Sequence, residues 1–230
     1  MANVSRMRKK RLVLDIGTSA IRLCELTPTK TGYQLSRYLQ KEFNADPALD
    51  EAAKKELRVR ALQDILKETK VRTKKTIFGV PGQSVFTRTR ALPPVPEYKV
   101  TQIVRYEIQQ QIPFSLDQIA MDYQVLDRTT AGGYEVLMAA IKVDVVDKHL
   151  EVIEANKCRA DIVDVSPLAA YNWLKHTQEF GDQGECIAVI DMGATTTDIV
   201  IEREGQFRFT RPLNVGGNDI TKALASKFGM

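Results

Sequence analysis

The chain writes nearly the same segment twice: "VLDIGTSAIRLCEL" from Val13 to Leu26 and "VIDMGATTTDIVIE" from Val189 to Glu202. Each copy is an apolar strand, then Asp-x-Gly, then small and hydroxyl-bearing residues, then a second apolar strand, which is the pattern of a hairpin with a polar tip. Gly17 and Gly193 lack a Cβ, so the backbone can turn sharply there and approach a ligand closely. The hydroxyls of Thr18, Ser19, Thr195 and Thr196, with the exposed amides around Ala194, suit phosphate oxygens. Asp15 and Asp191 end the first strands, where a carboxylate can hold Mg²⁺ through the waters that ion retains. One such segment fits an ordinary hairpin whose Asp and Gly serve turn geometry. Two copies, one in each half of the chain, point to two half-domains whose tips clamp a triphosphate from both sides.

The rest of the composition limits the alternatives. With 230 residues and 43% apolar content the chain is long enough for one large domain or two modest ones. Cys24, Cys158 and Cys186 stand far apart and never as CxxC, and neither His149 nor His176 sits at ligand spacing from them, so a Cys/His metal centre is not expected. The net charge of +4 arises from 33 basic and 29 acidic residues, a balance that gives no reason to expect nucleic acid. The excess is local: Arg6, Arg8, Lys9, Lys10 and Arg11 form a basic tail, read as a solvated, frayed segment over residues 1–10, with anionic lipid or a partner as the alternative contact. No apolar run approaches the roughly 20 residues of a membrane-spanning helix.

Along the chain, β signal continues over Tyr33 to Tyr38, and a helix is expected from Asp50, which can cap it, with Ala53, Leu57, Ala61, Leu62, Ile65 and Leu66 on one face. "KTIFGVPG" reads as a buried strand and "SVFTRTRALP" as a more polar one. A helix then runs from about Lys99 to Ile112, followed by the strands "MDYQVLDR" and "YEVLMAAIK" and a helix from about Val145 to Asn156. After a short strand, Ser166 is expected to cap a helix with Pro167 in its first turn. "EFGDQGE", Glu179 to Glu185, is the best linker. Past the second hairpin lie a strand "FRFTRPLNV" and a helix opened by Gly216 and Gly217, with Ile220, Leu224 and Phe228 one face apart.

This arrangement resembles the actin-like ATPase superfamily, in which two ribonuclease-H-like halves each give a phosphate loop: "LDIGTSAIRL" resembles the first phosphate motif, "IDMGATTTDIVI" the second, "VDVSPLAAY" the connecting motif and "NVGGNDIT" the start of the helix after it. Within it, "YEIQQQIPFSLDQIAMDYQVL" (Tyr106 to Leu126), with "LPPVP" before and "DVSPLA" after, is similar to the PilM family of type IV pilus assembly proteins, with cell-division FtsA more distant. The resemblance covers roughly residues 10–230. It implies an α/β actin-like fold divided as 11–83 (subdomain 1A), 84–160 (an inserted α+β subdomain of the 1C type), 161–180 (the rest of 1A with its connecting helix) and 181–230 (part of 2A). The family continues through a second small subdomain and a Gly-rich adenosine motif, so a C-terminally truncated fold is expected.

The resemblance also implies roles. Asp15, Gly17, Thr18 and Ser19 would line the first phosphate loop, Asp191, Gly193, Ala194, Thr195 and Thr196 the second, with Gly216 and Gly217 beside the nucleotide. ATP and Mg²⁺ are the implied cofactors, Mg²⁺ through Asp15 and Asp191. Asp164, in the connecting motif, would position the attacking water, or simply hold local amides. Position 20 is Ala and no Lys or Arg occupies Thr18 to Ile21, while Arg22 is expected to point elsewhere along its strand; at most weak ATPase activity is expected. The implied partner is the cytosolic tail of a PilN-like inner-membrane protein, docked near Tyr106, Phe114 and Tyr123, each of which has plain core packing as its alternative, together with other proteins of the pilus platform. Location would be cytoplasmic and peripheral at the inner membrane, reached only through partners. An FtsA-like division scaffold and a small-molecule kinase of the same superfamily are the alternatives.

Overall fold

The computed structural model describes residues 9–43, 48–177 and 184–229. Most of the basic tail, including Arg6 and Arg8, and all but the last two residues of the expected Glu179 to Glu185 linker lie outside them. The chain divides into two compact units: residues up to Val80 together with Asp147–Asp164, and Pro81–Val146 together with the residues from Val165 onward.

The first unit is a five-stranded sheet in the order β3-β2-β1-β4-β8. β1 (Arg11–Ile16) pairs antiparallel with β2 (Ala20–Pro28), β2 antiparallel with β3 (Tyr33–Glu42), and β1 parallel with β4 (Lys75–Val80). β8 (Arg159–Val165) lies beyond β4. Helix α1 (Glu51–Thr69) begins where expected, because the Asp50 side chain accepts the Ala53 N–H at 2.7 Å, and it buries Ala61, Leu62 and Ile65. The expected capping carboxylate therefore satisfies one of the amides a helix start leaves unpaired. Leu12, Leu14, Ile21, Leu23 and Phe78 are fully buried, so the first apolar copy of the repeat is the centre of this core. Phe78 stacks on His149 of α3 (Val143–Ala155), with ring centroids 5.9 Å apart.

One polar group is embedded here. Glu25, 1% exposed, accepts hydrogen bonds from Arg37 Nη1 at 2.6 Å, Thr73 Oγ1 at 3.0 Å and Ser36 Oγ at 3.2 Å, with Lys10 Nζ at 3.7 Å. A buried carboxylate is tolerable when its lone pairs are filled in this way.

The second unit holds two antiparallel three-stranded sheets. In one, β7 (Tyr134–Lys142) is flanked by β5 (Val85–Leu92) and β6 (Ile119–Arg128), and α2 (Glu97–Gln111) lays Val100, Val104 and Ile108 against Val136, Met138 and Ala140. In the other, β10 (Thr197–Arg203) lies between β9 (Cys186–Met192) and β11 (Gln206–Leu213). Helix α4 (Ser166–Thr177) follows β8 with no intervening residue and begins at the Ser166-Pro167 start expected from the sequence. Its Tyr171 packs edge-on against Phe207 in a cluster with Leu137 and Val200. The Tyr171 hydroxyl accepts the Phe207 N–H at 3.1 Å and donates to the Gly205 carbonyl at 3.0 Å, pinning the start of β11 to the helix. Helix α5 (Gly217–Phe228) carries Ile220, Leu224 and Phe228 as expected, all at least half exposed.

Candidate phosphate-binding hairpins

The two copies of the repeat close their turns in the same way. In the first, the Gly17 N–H donates to the Ala20 carbonyl at 3.0 Å; in the second, the Gly193 N–H donates to the Thr196 carbonyl at 2.8 Å. A Cβ at Gly17 would lie 2.9 Å from Ala20 O, and one at Gly193 3.0 Å from Thr196 O. Glycine is required by this close approach of backbone to backbone. The tips present Thr18 and Ser19 in one unit and Thr195 in the other, all exposed.

The registers are also equivalent. Asp15 stands directly opposite Arg22 and Asp191 directly opposite Asp198, so the side chains of each pair share one face of their hairpin. What faces the aspartate differs. Arg22 was expected to point away; instead its Nη1 lies 2.7 Å from Asp15 Oδ2, and its Nε donates to Gln40 Oε1 at 2.9 Å. Cross-strand alternation forces this placement, since opposed residues point the same way. The pair is about half exposed, 45% for Arg22 and 54% for Asp15, where an ion pair contributes at most about 1 kcal/mol to stability. The arginine lines a hollow with Ser19, Gln40, Glu42 and Phe43, and so supplies a cation beside the first loop that Thr18 to Ile21 lack.

The second hairpin is anionic. Asp198 is half-buried; burial pushes its carboxyl above the usual carboxylate range, the Gly82 backbone amide pulls it back, and the charge of Asp191 raises it further. Its Oδ1 is buried with no hydrogen-bond partner among the described residues, and a Cβ on Gly82 would collide with it. Two opposed carboxylates, one with an orphaned oxygen, fit a hydrated Mg²⁺, which takes one or two carboxylates and keeps several waters. Among the described residues no group of three or more His, Cys, Asp or Glu converges as a dehydrated metal site would require.

Helix α5 is docked on the second loop. The Gly217 N–H donates to Gly193 O and the Asn218 N–H to Ala194 O, both at 2.9 Å, while Asp219 Oδ2 accepts the Gly216 N–H at 3.0 Å. Thr197 Oγ1 adds a bond to Val215 O at 2.7 Å. Gly216 and Gly217 thus sit against Gly193, Ala194 and Thr195, and two amides at the helix start hold the loop in shape. Asp164 lies half-buried near the end of β8 in the first unit.

Of the expected partner-binding aromatics, Tyr106 is 61% exposed on α2 and Phe114 39% exposed beneath Lys142, whose Nζ lies 5.1 Å from the ring centroid. Tyr123 is half-buried, packed on the α2 core, with its hydroxyl 2.9 Å from Thr101 Oγ1. Tyr98, two turns before Tyr106 on α2, is 78% exposed and escaped the sequence reading. So did Asp198 and the pairing of Arg22, although the spacing that aligns Asp15 with Asp191 also aligns Arg22 with Asp198.

An α/β chain with two Asp-x-Gly hairpins of matching register, one in each compact unit, has the architecture of the actin-like ATPase fold. A structure from Bacteroides thetaiotaomicron described as having an actin-like ATPase fold and unknown function is similar over 100% of this chain and 81% of its own, at a TM-score of 0.51 and 12% identity. Residues 13–230 match the family described as type IV pilus assembly protein PilM, and the chain belongs to that family. The structure of a PilM–PilN type IV pilus biogenesis complex is similar with a TM-score of 0.82 over 97% of this chain and 67% of its own, at 24% identity. The cell division protein FtsA of Neisseria meningitidis serogroup B is 30% identical over 121 residues, 48% of this chain; that match spans 28% of FtsA.

Proposed function

We propose that the chain serves a type IV pilus platform as a nucleotide-bound adaptor that holds the cytosolic tail of a PilN-like inner-membrane protein, working in the cytoplasm as a peripheral component of that membrane. The observation that carries the nucleotide part is the shared turn of the two hairpins, each with a glycine closed onto a backbone carbonyl and hydroxyls at its tip. Gly17, Thr18 and Ser19 would bind phosphate oxygens from one unit, and Gly193, Ala194, Thr195 and Thr196 from the other. Arg22 would orient Asp15 and add positive charge beside the first loop. Asp191 and Asp198 would hold Mg²⁺, which supplies charge neutralisation to ATP when bound; Asp15 stays engaged by Arg22. Gly216 and Gly217 support the second loop by close packing. Asp164 is assigned to orienting water at the connecting strand, and hydrolysis is slow or absent, so that ATP acts mainly by stabilising the folded chain.

The partner reading is supported by family membership and by the exposed aromatics Tyr98 and Tyr106 on α2 and Phe114 after it, residue types enriched where proteins dock. It is tested by isothermal titration of the PilN-type tail peptide into the protein, with and without Mg-ATP. Saturable heat that Tyr106→Ala weakens at least tenfold is expected; no heat at high micromolar peptide sinks the partner reading. A fluorescent ATP analogue whose binding ignores both Thr18→Ala and Thr195→Ala would sink the nucleotide reading.

A further inference from the structure

The positive charge of the first unit gathers at one end of its sheet. β1 and β4 run parallel with Leu12 beside Thr76, so Arg11 and Lys75 start neighbouring strands side by side. The N–H of Arg159, the first residue of β8, donates to Lys74 O at 2.8 Å and brings a third strand start to the same end. Segments 9–11, 72–75 and 157–161 therefore bring eight Lys and Arg together, against Asp161 and the inward-reaching Glu25. That excess of six is larger than the +4 of the whole chain, so the remainder of the molecule is net acidic.

The two carboxylates are occupied by the inner cations: Asp161 Oδ2 lies 2.6 Å from Arg11 Nη1 and 3.7 Å from Lys75 Nζ, while Glu25 takes Lys10. Lys9, Arg72, Lys74, Lys157 and Arg159 are exposed and form no ion pair among the described residues. Five like charges on adjacent strand starts repel one another and gain from an anionic partner. They stand at the starts of adjacent strands, and none of the three segments contains an aromatic residue on which a base could stack. Three of the five are lysines, compact point charges that suit diffuse attraction to headgroups rather than forked recognition.

We propose that this basic end docks on an anionic bilayer surface, a direct membrane contact beyond the one reached through a partner's tail. It rests on the charge of this unit alone, so the peptide titration above stands or falls separately. The test is sedimentation of the full chain with phosphatidylglycerol vesicles, phosphatidylcholine vesicles and a DNA duplex, at 50 and 300 mM salt. Expected is binding to the anionic vesicles alone, falling steeply with salt. Arg72→Glu/Lys74→Glu should bind at least roughly 30-fold more weakly, the loss of two basic residues' usual contribution at a charged membrane before the new carboxylates add repulsion. Lys222→Glu/Lys227→Glu, an equal charge change on α5, should stay within about threefold of the parent. Absence of vesicle binding at 50 mM salt, equal loss in both variants, or tighter binding to DNA than to the vesicles would each overturn the proposal.

Discussion

Gly216 and Gly217 are neighbours in sequence, yet replacing each by Ala should have opposite effects. A Cβ at Gly216 would lie 2.6 Å from both C and O of Ala194 and 2.7 Å from C of Thr195, whereas one at Gly217 would lie 3.7 Å from Gly193 O, an ordinary contact. The backbone at Gly216, φ −145° and ψ −173°, is extended and open to any residue, so the objection to Ala is steric and not conformational. Restoring normal contact requires the loop and the helix start to part by roughly 0.8 Å, an overpacking that costs about 1–3 kcal/mol. The two 2.9 Å bonds from Gly217 and Asn218 stretch with it, at about 1 kcal/mol each. Against this stands a gain of about 0.4–1 kcal/mol from the stiffer unfolded chain. Gly216→Ala should thus lose about 2–4.5 kcal/mol, while Gly217→Ala, in the first helical turn, should be neutral or gain up to about 1 kcal/mol. Urea denaturation followed by circular dichroism measures the difference, and hydrogen exchange localises it: the Gly217 and Asn218 amides should exchange faster in Gly216→Ala alone. If the two variants agree within about 0.5 kcal/mol, the packing account of α5 on the second loop is wrong.

Other expectations concern single groups. Burial alone would raise the Glu25 carboxyl, but bonds from Thr73 and Ser36, the charge of Lys10 and the bond from Arg37 hold it below its usual value. Its stabilisation is therefore complete above the ordinary Glu value of about 4.3 and lost as pH falls through the depressed one. Glu25→Gln should lose about 1–3 kcal/mol at pH 7 and lack that acid step in a plot of Tm against pH. Asp198 has the opposite sign: raised in the folded state, it contributes fully below its ordinary value and loses that contribution as pH rises through the raised one. Asp198→Asn should remove this alkaline-side loss and shrink the Tm increase that Mg²⁺ produces; an unchanged response to Mg²⁺ excludes Asp198 from the cation site. Tyr171→Phe leaves the buried Phe207 N–H unpaired and should cost about 1–3 kcal/mol in thermal unfolding, with little effect if that amide finds water.

The repeated segment was legible because a strand, a turn glycine and a second strand leave a local pattern. The Asp50 cap and the apolar stripe of α1 were legible for the same reason. What was not legible shares a different cause, since each such feature depends on what the chain meets far away or across a strand. "GG" was legible as the opening of α5, but that Gly216 makes room for Ala194 and Thr195 was not. Tyr123 is half-buried on the α2 cluster, in keeping with the core-packing alternative, and which aromatics stay exposed depends on that long-range contact. The functional content of the hairpins lay in register. Once Gly17 bonds Ala20 and Gly193 bonds Thr196, residue 22 must oppose residue 15 and residue 198 must oppose residue 191. The two tips then cannot be electrostatic equals: Asp15 is matched by Arg22, while Asp191 meets a second carboxylate. If the tips bind phosphate as proposed, the two loops would meet it differently, the first with its carboxylate already paired and the second with two unpaired negative charges that a cation would have to offset.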